Sequence, residues 1–164
     1  MARKNAATAN GADTAETFET ILDRQWDEIP ETQTLPTGSW RLKGRNATYQ
    51  PAKGDGNPSI LFVYSAQEPL DDVDEEALSA LGDNYSYDQN RIFYRAWLET
   101  SADVDNVRKL LLKHGVALEG KTVKESLKGF RGSQVIANLG VRTYQNSAGE
   151  PVEENNPTNF AAVE

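Results

Sequence analysis

The octet Arg91–Leu98, RIFYRAWL, places the tightest constraint on how this chain can fold. Side chains that alternate in character with a period of two fit an extended strand and not a helix. As a strand, the octet sets Ile92, Tyr94, Ala96 and Leu98 on one face and Arg91, Phe93, Arg95 and Trp97 on the other. The first face is that of a core strand. The second alternates guanidinium with aromatic ring, on a 164-residue chain whose net charge is −8.

The total charge hides a segregation that makes such a face reasonable. Residues 1–38 hold 3 basic and 7 acidic residues, and residues 70–90 hold 7 acidic and no basic ones. Residues 39–69 hold 4 basic against 2 acidic, and residues 91–142 hold 10 against 5. The acidity lies in the ends and one insert, so the segments patterned as strands and helices can present a positive surface.

The order of elements follows from the same patterning. Residues 1–12, rich in Ala, Asn and Thr, are expected to be disordered. From Asp13, the spacing of Phe18, Ile21, Leu22 and Trp26 predicts an amphipathic helix, which Pro30 and Pro36 end in a linker reaching residue 37. SWRLKGRNATY (39–49) and ILFVYS (60–65) predict two strands, the first with Arg41, Lys43, Arg45 and Tyr49 towards one face. The acidic insert at 68–90 then precedes RIFYRAWL, with a short helix expected near Asp71 or Asp72. SADVDNVRKLLLKHG predicts a helix capped at Asp103, with Val104, Val107, Leu110 and Leu111 on one side and His114 serving its C-terminal dipole. TVKESLKGF carries the Thr122/Glu125 capping-box pattern. SQVIANLGVRTY (133–144) is a fourth strand, QNSAGEPVEENNP a polar loop, and TNFAAV a short last strand.

Strand, strand, strand, helix, strand, strand is the plan of the OB-fold, a five-stranded barrel with its helix between the third and fourth strands. The expected fold class is therefore mainly β with added α: an OB-like barrel over 38–164, preceded by the amphipathic helix. In that plan the binding surface crosses the second and third strands and is flanked by the loops joining strands one to two and four to five. Single-stranded nucleic acid needs cations for its phosphates and flat rings for its bases. Arg41, Lys43, Arg45, Lys53, Arg91, Arg95 and Arg142 supply the first, and Phe93, Trp97, Tyr49 and Tyr144 the second. The competing reading treats the same side chains as an ordinary solvated face, with Phe93 and Trp97 covered by the N-terminal helix or the insert. On that reading the chain is a structural or protein-interaction module, a virion component or an acidic inhibitor working through its insert.

Other chemistries find little support. The chain has no cysteine and a single histidine, His114, which excludes disulfides, zinc sites of the Cys/His kind and thiol catalysis. DDVDEE (71–76) lacks EF-hand spacing, although such an insert could compete with nucleic acid for the basic face. KGFRGSQVI departs from the core of the RNA-recognition motif at Arg131 and Ser133. No phosphate loop, nucleophile elbow or HExxH occurs, so no enzyme and no cofactor or metal is expected. No apolar run approaches the ~18 residues of a membrane span, and no secretory leader is recognisable.

The leading helix, LPTGSW entering the first strand, ILFVYSAQEPLDDVDEEAL running towards IFYRAWL, and VRKLLLKHGVALEGKTVKESLKGFRGSQVIANLGVRTYQN together resemble phage-encoded OB-fold single-stranded DNA-binding proteins over roughly residues 16–164. The resemblance implies sequence-tolerant binding of single-stranded DNA without a cofactor, RNA not being excluded. It also implies a role in phage replication or recombination in the cytoplasm of an infected bacterium. Phage or host replication proteins are the implied partners, and independently of the resemblance the edge strands or the N-terminal helix offer a way to pair with a second copy of the chain. The chain departs from the pattern at its end: NNPTNFAAVE is not the acidic, aromatic-tipped tail through which many such proteins recruit partners.

Overall fold

The computed structural model describes residues 33–163 together with Asp23 and Gln25, so the expectations for residues 1–12 and for the helix from Asp13 lie outside the described residues. The chain divides into two units, and the described residues from Gln33 onwards belong to the second, Gln33–Glu164. The second holds β1 (Gly38–Gln50), β2 (Ser59–Pro69), α1 (Glu75–Ala80), a 3-10 turn (Tyr87–Gln89), β3 (Arg91–Trp97), α2 (Ser101–Lys113), α3 (Val123–Lys128), β4 (Gln134–Gln145) and β5 (Pro151–Ala161). All five strands form one antiparallel sheet in the order β3-β2-β1-β4-β5. It is an open sheet. Its opposite edges nonetheless touch, with the rings of Tyr94 on β3 and Phe160 on β5 5.1 Å apart.

One face of the sheet is the core. Trp40 and Leu42 of β1, Phe62 and Tyr64 of β2, Ile92 of β3, and Val135, Ala137 and Leu139 of β4 are all buried. Val107, Leu110 and Leu111 of α2, at the helical spacing seen in the sequence, are buried with them, as is Phe130 between α3 and β4. Each large apolar side chain so buried contributes about 1.5–3 kcal/mol. Trp40 satisfies its indole N–H on the Pro36 carbonyl at 3.0 Å. Residues 33–37, expected as linker, are tied to the sheet: the Leu35 N–H donates to Asn155 Oδ1 (2.8 Å), and Asn155 Nδ2 donates back to the Leu35 carbonyl (2.9 Å).

Gly44 sits where the Phe130–Ser133 turn crosses β1. Its N–H donates to the Ser133 carbonyl at 2.7 Å, and the Gly132 N–H donates to the Gly44 carbonyl at 2.8 Å. A Cβ at Gly44 would stand 2.4 Å from the Phe130 carbonyl oxygen. Just beyond it, Gly44 pairs with Tyr64 but Asn46 pairs with Val63, leaving Arg45 as an extra residue in the ladder. This is a β-bulge, and it reverses which face every later side chain of β1 occupies.

Several local expectations need correction. β5 starts at Pro151, so PVEENNP is strand and not loop. It pairs with the end of β4, where Val141–Gln145 are exposed on both faces, so no apolar alternation marks it. The N-cap of α2 is Thr100, with Asp103 at the third position of a capping box, while the Thr122/Glu125 box of α3 forms as the sequence implies. Asp74 caps α1. Asp72 instead accepts from the Ser39 N–H and hydroxyl, both at 2.9 Å, and these bonds hold its carboxyl below the usual range.

His114 ends α2, but its ring turns into the core rather than serving the helix dipole. Ser133 Oγ donates to the Phe130 carbonyl (2.5 Å), so it accepts from His114 Nδ1 (3.0 Å). That leaves Nε2 to accept from the Tyr64 hydroxyl at 3.1 Å. A neutral imidazole satisfies every partner, and burial lowers its pKa from 6.5 to about 4.

Candidate nucleic-acid interface

The other face of the sheet carries the alternation of RIFYRAWL. Arg91, Phe93, Arg95 and Trp97 are exposed, Phe93 by 46% and Trp97 by 52%, while Ile92 between them is buried. The ladder sets them beside Ser65, Val63, Leu61 and Ser59 of β2, and these beside Lys43, Asn46, Thr48 and Gln50 of β1. Phe93 and Trp97, four residues apart, stand about 13–14 Å from each other along the strand, with Arg95 between them.

The guanidiniums are held by neutral partners. Arg95 donates to Gln50 Oε1 and to Ser59 Oγ (2.9 Å), and its Cζ lies 5.4 Å from the Trp97 ring centroid. Arg45 Nε donates to Ser65 Oγ at 2.9 Å, and Arg91 donates to the main-chain carbonyl of Asp88 at 2.5 Å. Among the described residues none of these three, and neither Lys43 nor Lys53, forms an ion pair. The three guanidiniums are held in orientation while the charge of all five side chains stays available, which is the condition an incoming anion needs.

Four expected positions stand differently. Arg41 is half-buried against Glu68 (2.7 Å), and its Nε is buried without a hydrogen-bond partner among the described residues. Arg142 forms an ion pair with Glu154 across β4 and β5 (2.5 Å). Arg142 and Tyr144 also lie far along β4. Lys43 pairs with Gln134, and the eight residues from there to Arg142 span roughly 27 Å of strand. Tyr49 is on the helix side of the sheet, because the bulge at Arg45 makes it the partner of Ile60 and not of an outward residue. Lys53 is exposed in the β1–β2 loop, which leaves Gln50 and returns at Ser59, the residue paired with Trp97.

Sequence reasoning missed Gln50 and Ser59, which position Arg95, and Leu61 and Val63, the half-buried floor beside the rings. The signal for the latter pair was present, since they alternate with buried Ile60, Phe62 and Tyr64. The insert does not lie over the cations through its carboxylates: among the described residues, no ion pair joins residues 70–90 to the basic face.

A comparison with protein-family models gives no match to this chain, and a comparison with curated proteins gives none either. Among the described residues no helix is long and apolar enough to cross a membrane.

Proposed function

We propose that the protein binds single-stranded DNA, without strong sequence preference and without catalysis, through the outer face of β3 and its neighbours. The carrying observation is the exposed series Arg91, Phe93, Arg95, Trp97, with its guanidiniums held by neutral groups. Bases stack on Phe93 and Trp97, at about 1–3 kcal/mol each, and phosphates meet Arg91, Arg95, Lys43, Arg45 and Lys53. Flat rings accept any base, so the reading accounts for binding that tolerates sequence.

The strand order and the contact of Tyr94 with Phe160 support an OB-like barrel whose β3 and β5 edges meet through side chains. Work on phage DNA during replication or recombination, in the cytoplasm of the infected cell, is the setting this activity fits. The structural-module reading requires Phe93 and Trp97 to be covered; among the described residues nothing covers them, which favours the binding reading.

The test is fluorescence anisotropy of labelled single strands at several salt concentrations, with wild type and Trp97→Ala. Saturable binding that weakens with salt and is impaired by the substitution supports the reading. Binding that is absent at low salt, or indifferent to the substitution, removes it. Equal-length RNA run in parallel decides between the two nucleic acids.

A further inference from the structure

Between the core face of the sheet and helices α2 and α3 runs a groove of ≈ 1300 Å³, on the side away from Trp97. Its floor is aliphatic, formed by Ile60, Leu98, Val107, Leu111, Leu118 and Leu127. Val104 continues the apolar stripe of α2 into it yet is 44% exposed, and Val123 at the start of α3 is 53% exposed. Arg108, Lys121, Lys124, Lys128 and Arg131 line the same groove. Asp105 takes up Arg108, and the Glu125 carboxylate turns back to the Thr122 N–H (2.8 Å). Lys121, Lys124, Lys128 and Arg131 form no ion pair among the described residues.

The chemistry of the groove selects among occupants. Nucleobases need flat rings to stack on, and among the described lining residues Tyr49 is the one aromatic side chain. A lone small ligand fills about 300–1,000 Å³ and brings one or two polar groups, fewer than four cations spread over α3, the loop before it and the turn after it. An amphipathic helix offers both requirements together: apolar side chains at i, i+3, i+4 and i+7, flanked by several carboxylates.

We propose that this groove docks an acidic amphipathic helix of a partner protein, its apolar side on the Val104–Val123 floor and its carboxylates against Lys121, Lys124, Lys128 and Arg131. The proposal does not depend on the DNA-binding reading: the groove reaches Asn46 and Thr48 of β1, but the apolar and cationic side chains it uses lie on α2, α3 and the loops around α3. Together the two surfaces would let one molecule hold a strand and a protein at once.

The test uses the full chain and a labelled peptide of about 16 residues with Leu at i, i+3, i+4 and i+7 spacing and Glu at its other positions. A scrambled isomer of equal composition is the control. The expected result is saturable binding with Kd below about 100 μM, weakened about tenfold by Val104→Glu/Val123→Glu and by Lys124→Glu/Lys128→Glu. Both pairs are exposed, so unchanged thermal melting will show that the fold is kept. Failure to saturate, equal binding of the isomer, or equal binding by the groove variants overturns the proposal. Saturation by oleate but not by the peptide overturns it in favour of a fatty anion. If Lys124→Glu/Lys128→Glu loses poly-dT binding as Trp97→Ala does, the groove belongs to nucleic acid and the proposal fails, while the DNA-binding reading survives.

Discussion

The guanidinium of Arg95 lies over the indole of Trp97, 5.4 Å from the ring centroid, while Gln50 and Ser59 hold it from β1 and β2. A cation–π contact at such an exposed site contributes only about 0.5–1 kcal/mol to the fold. Its larger effect is on readiness. Cation and ring already occupy fixed places, so less side-chain entropy is lost when a ligand arrives.

Trp97→Ala is expected to weaken binding of single-stranded DNA by about 1–3 kcal/mol at every salt concentration, since stacking does not depend on ions. Arg95→Ala is expected to weaken it and also to reduce the salt slope by about 0.7, the contribution of one phosphate on a single strand. Anisotropy titrations across a salt series check both, and an unchanged slope in Arg95→Ala would remove that residue from the phosphate path.

Arg142→Ala is expected to leave both affinity and salt slope as in wild type. Its charge is matched by Glu154, and its row of the sheet lies away from Lys43 and Arg91. The loss in stability should be at most about 1 kcal/mol, as for other exposed pairs. The same titrations with a urea melt test this, and a reduced slope would extend the binding path along β4.

The contrast between Arg95 and Arg142 marks what was legible in the sequence. Alternation places side chains on faces wherever a strand is regular, and β3 is regular, so Arg91, Phe93, Arg95 and Trp97 were legible as one face. β1 is not regular. The extra residue at Arg45 answers to the turn crossing at Gly44, a long-range contact with Phe130 and Ser133 that no local pattern announces, and Tyr49 changes face because of it. Arg142 and Tyr144 alternate correctly, yet the offset between β4 and β1 is set by pairing across the sheet, which periodicity does not encode. The partners that leave Arg95 charged and neutralise Arg41 likewise come from neighbouring strands.

Stability should fall on acidification through His114. The neutral ring is the folded form and its pKa is about 4, whereas in the unfolded chain it titrates near 6.5. Between those values the unfolded state binds the additional proton, so this contribution is complete above pH 6.5 and is lost progressively down to about pH 4, by about 3 kcal/mol. As the one histidine in the chain, His114 gives an unambiguous NMR titration. A midpoint near 6.5 in the folded protein would contradict the buried Tyr64–His114–Ser133 chain.

Gly44→Ala should destabilise by at least about 1–3 kcal/mol, because the new methyl meets the Phe130 carbonyl at 2.4 Å and the fully buried Phe130 ring at 2.9 Å. Gly54→Ala, at a loop glycine with positive φ and open space around it, is the milder comparison. Urea unfolding of the two variants ranks them, and a neutral Gly44→Ala would mean that the Phe130–Ser133 turn does not press on β1.

The central claim rests on the outer face of β3, and Trp97 reports on it from within. Trp97→Phe keeps Trp26 and Trp40, so subtracting its signal from that of wild type isolates the exposed ring. The measurement is its fluorescence during titration with a ~30-nucleotide poly-dT at low salt and at ~0.3 M salt. The account predicts saturable quenching in wild type that weakens at the higher salt and is missing from Trp97→Phe. Binding without any change in the Trp97 signal would place the DNA elsewhere on the molecule and contradict the account.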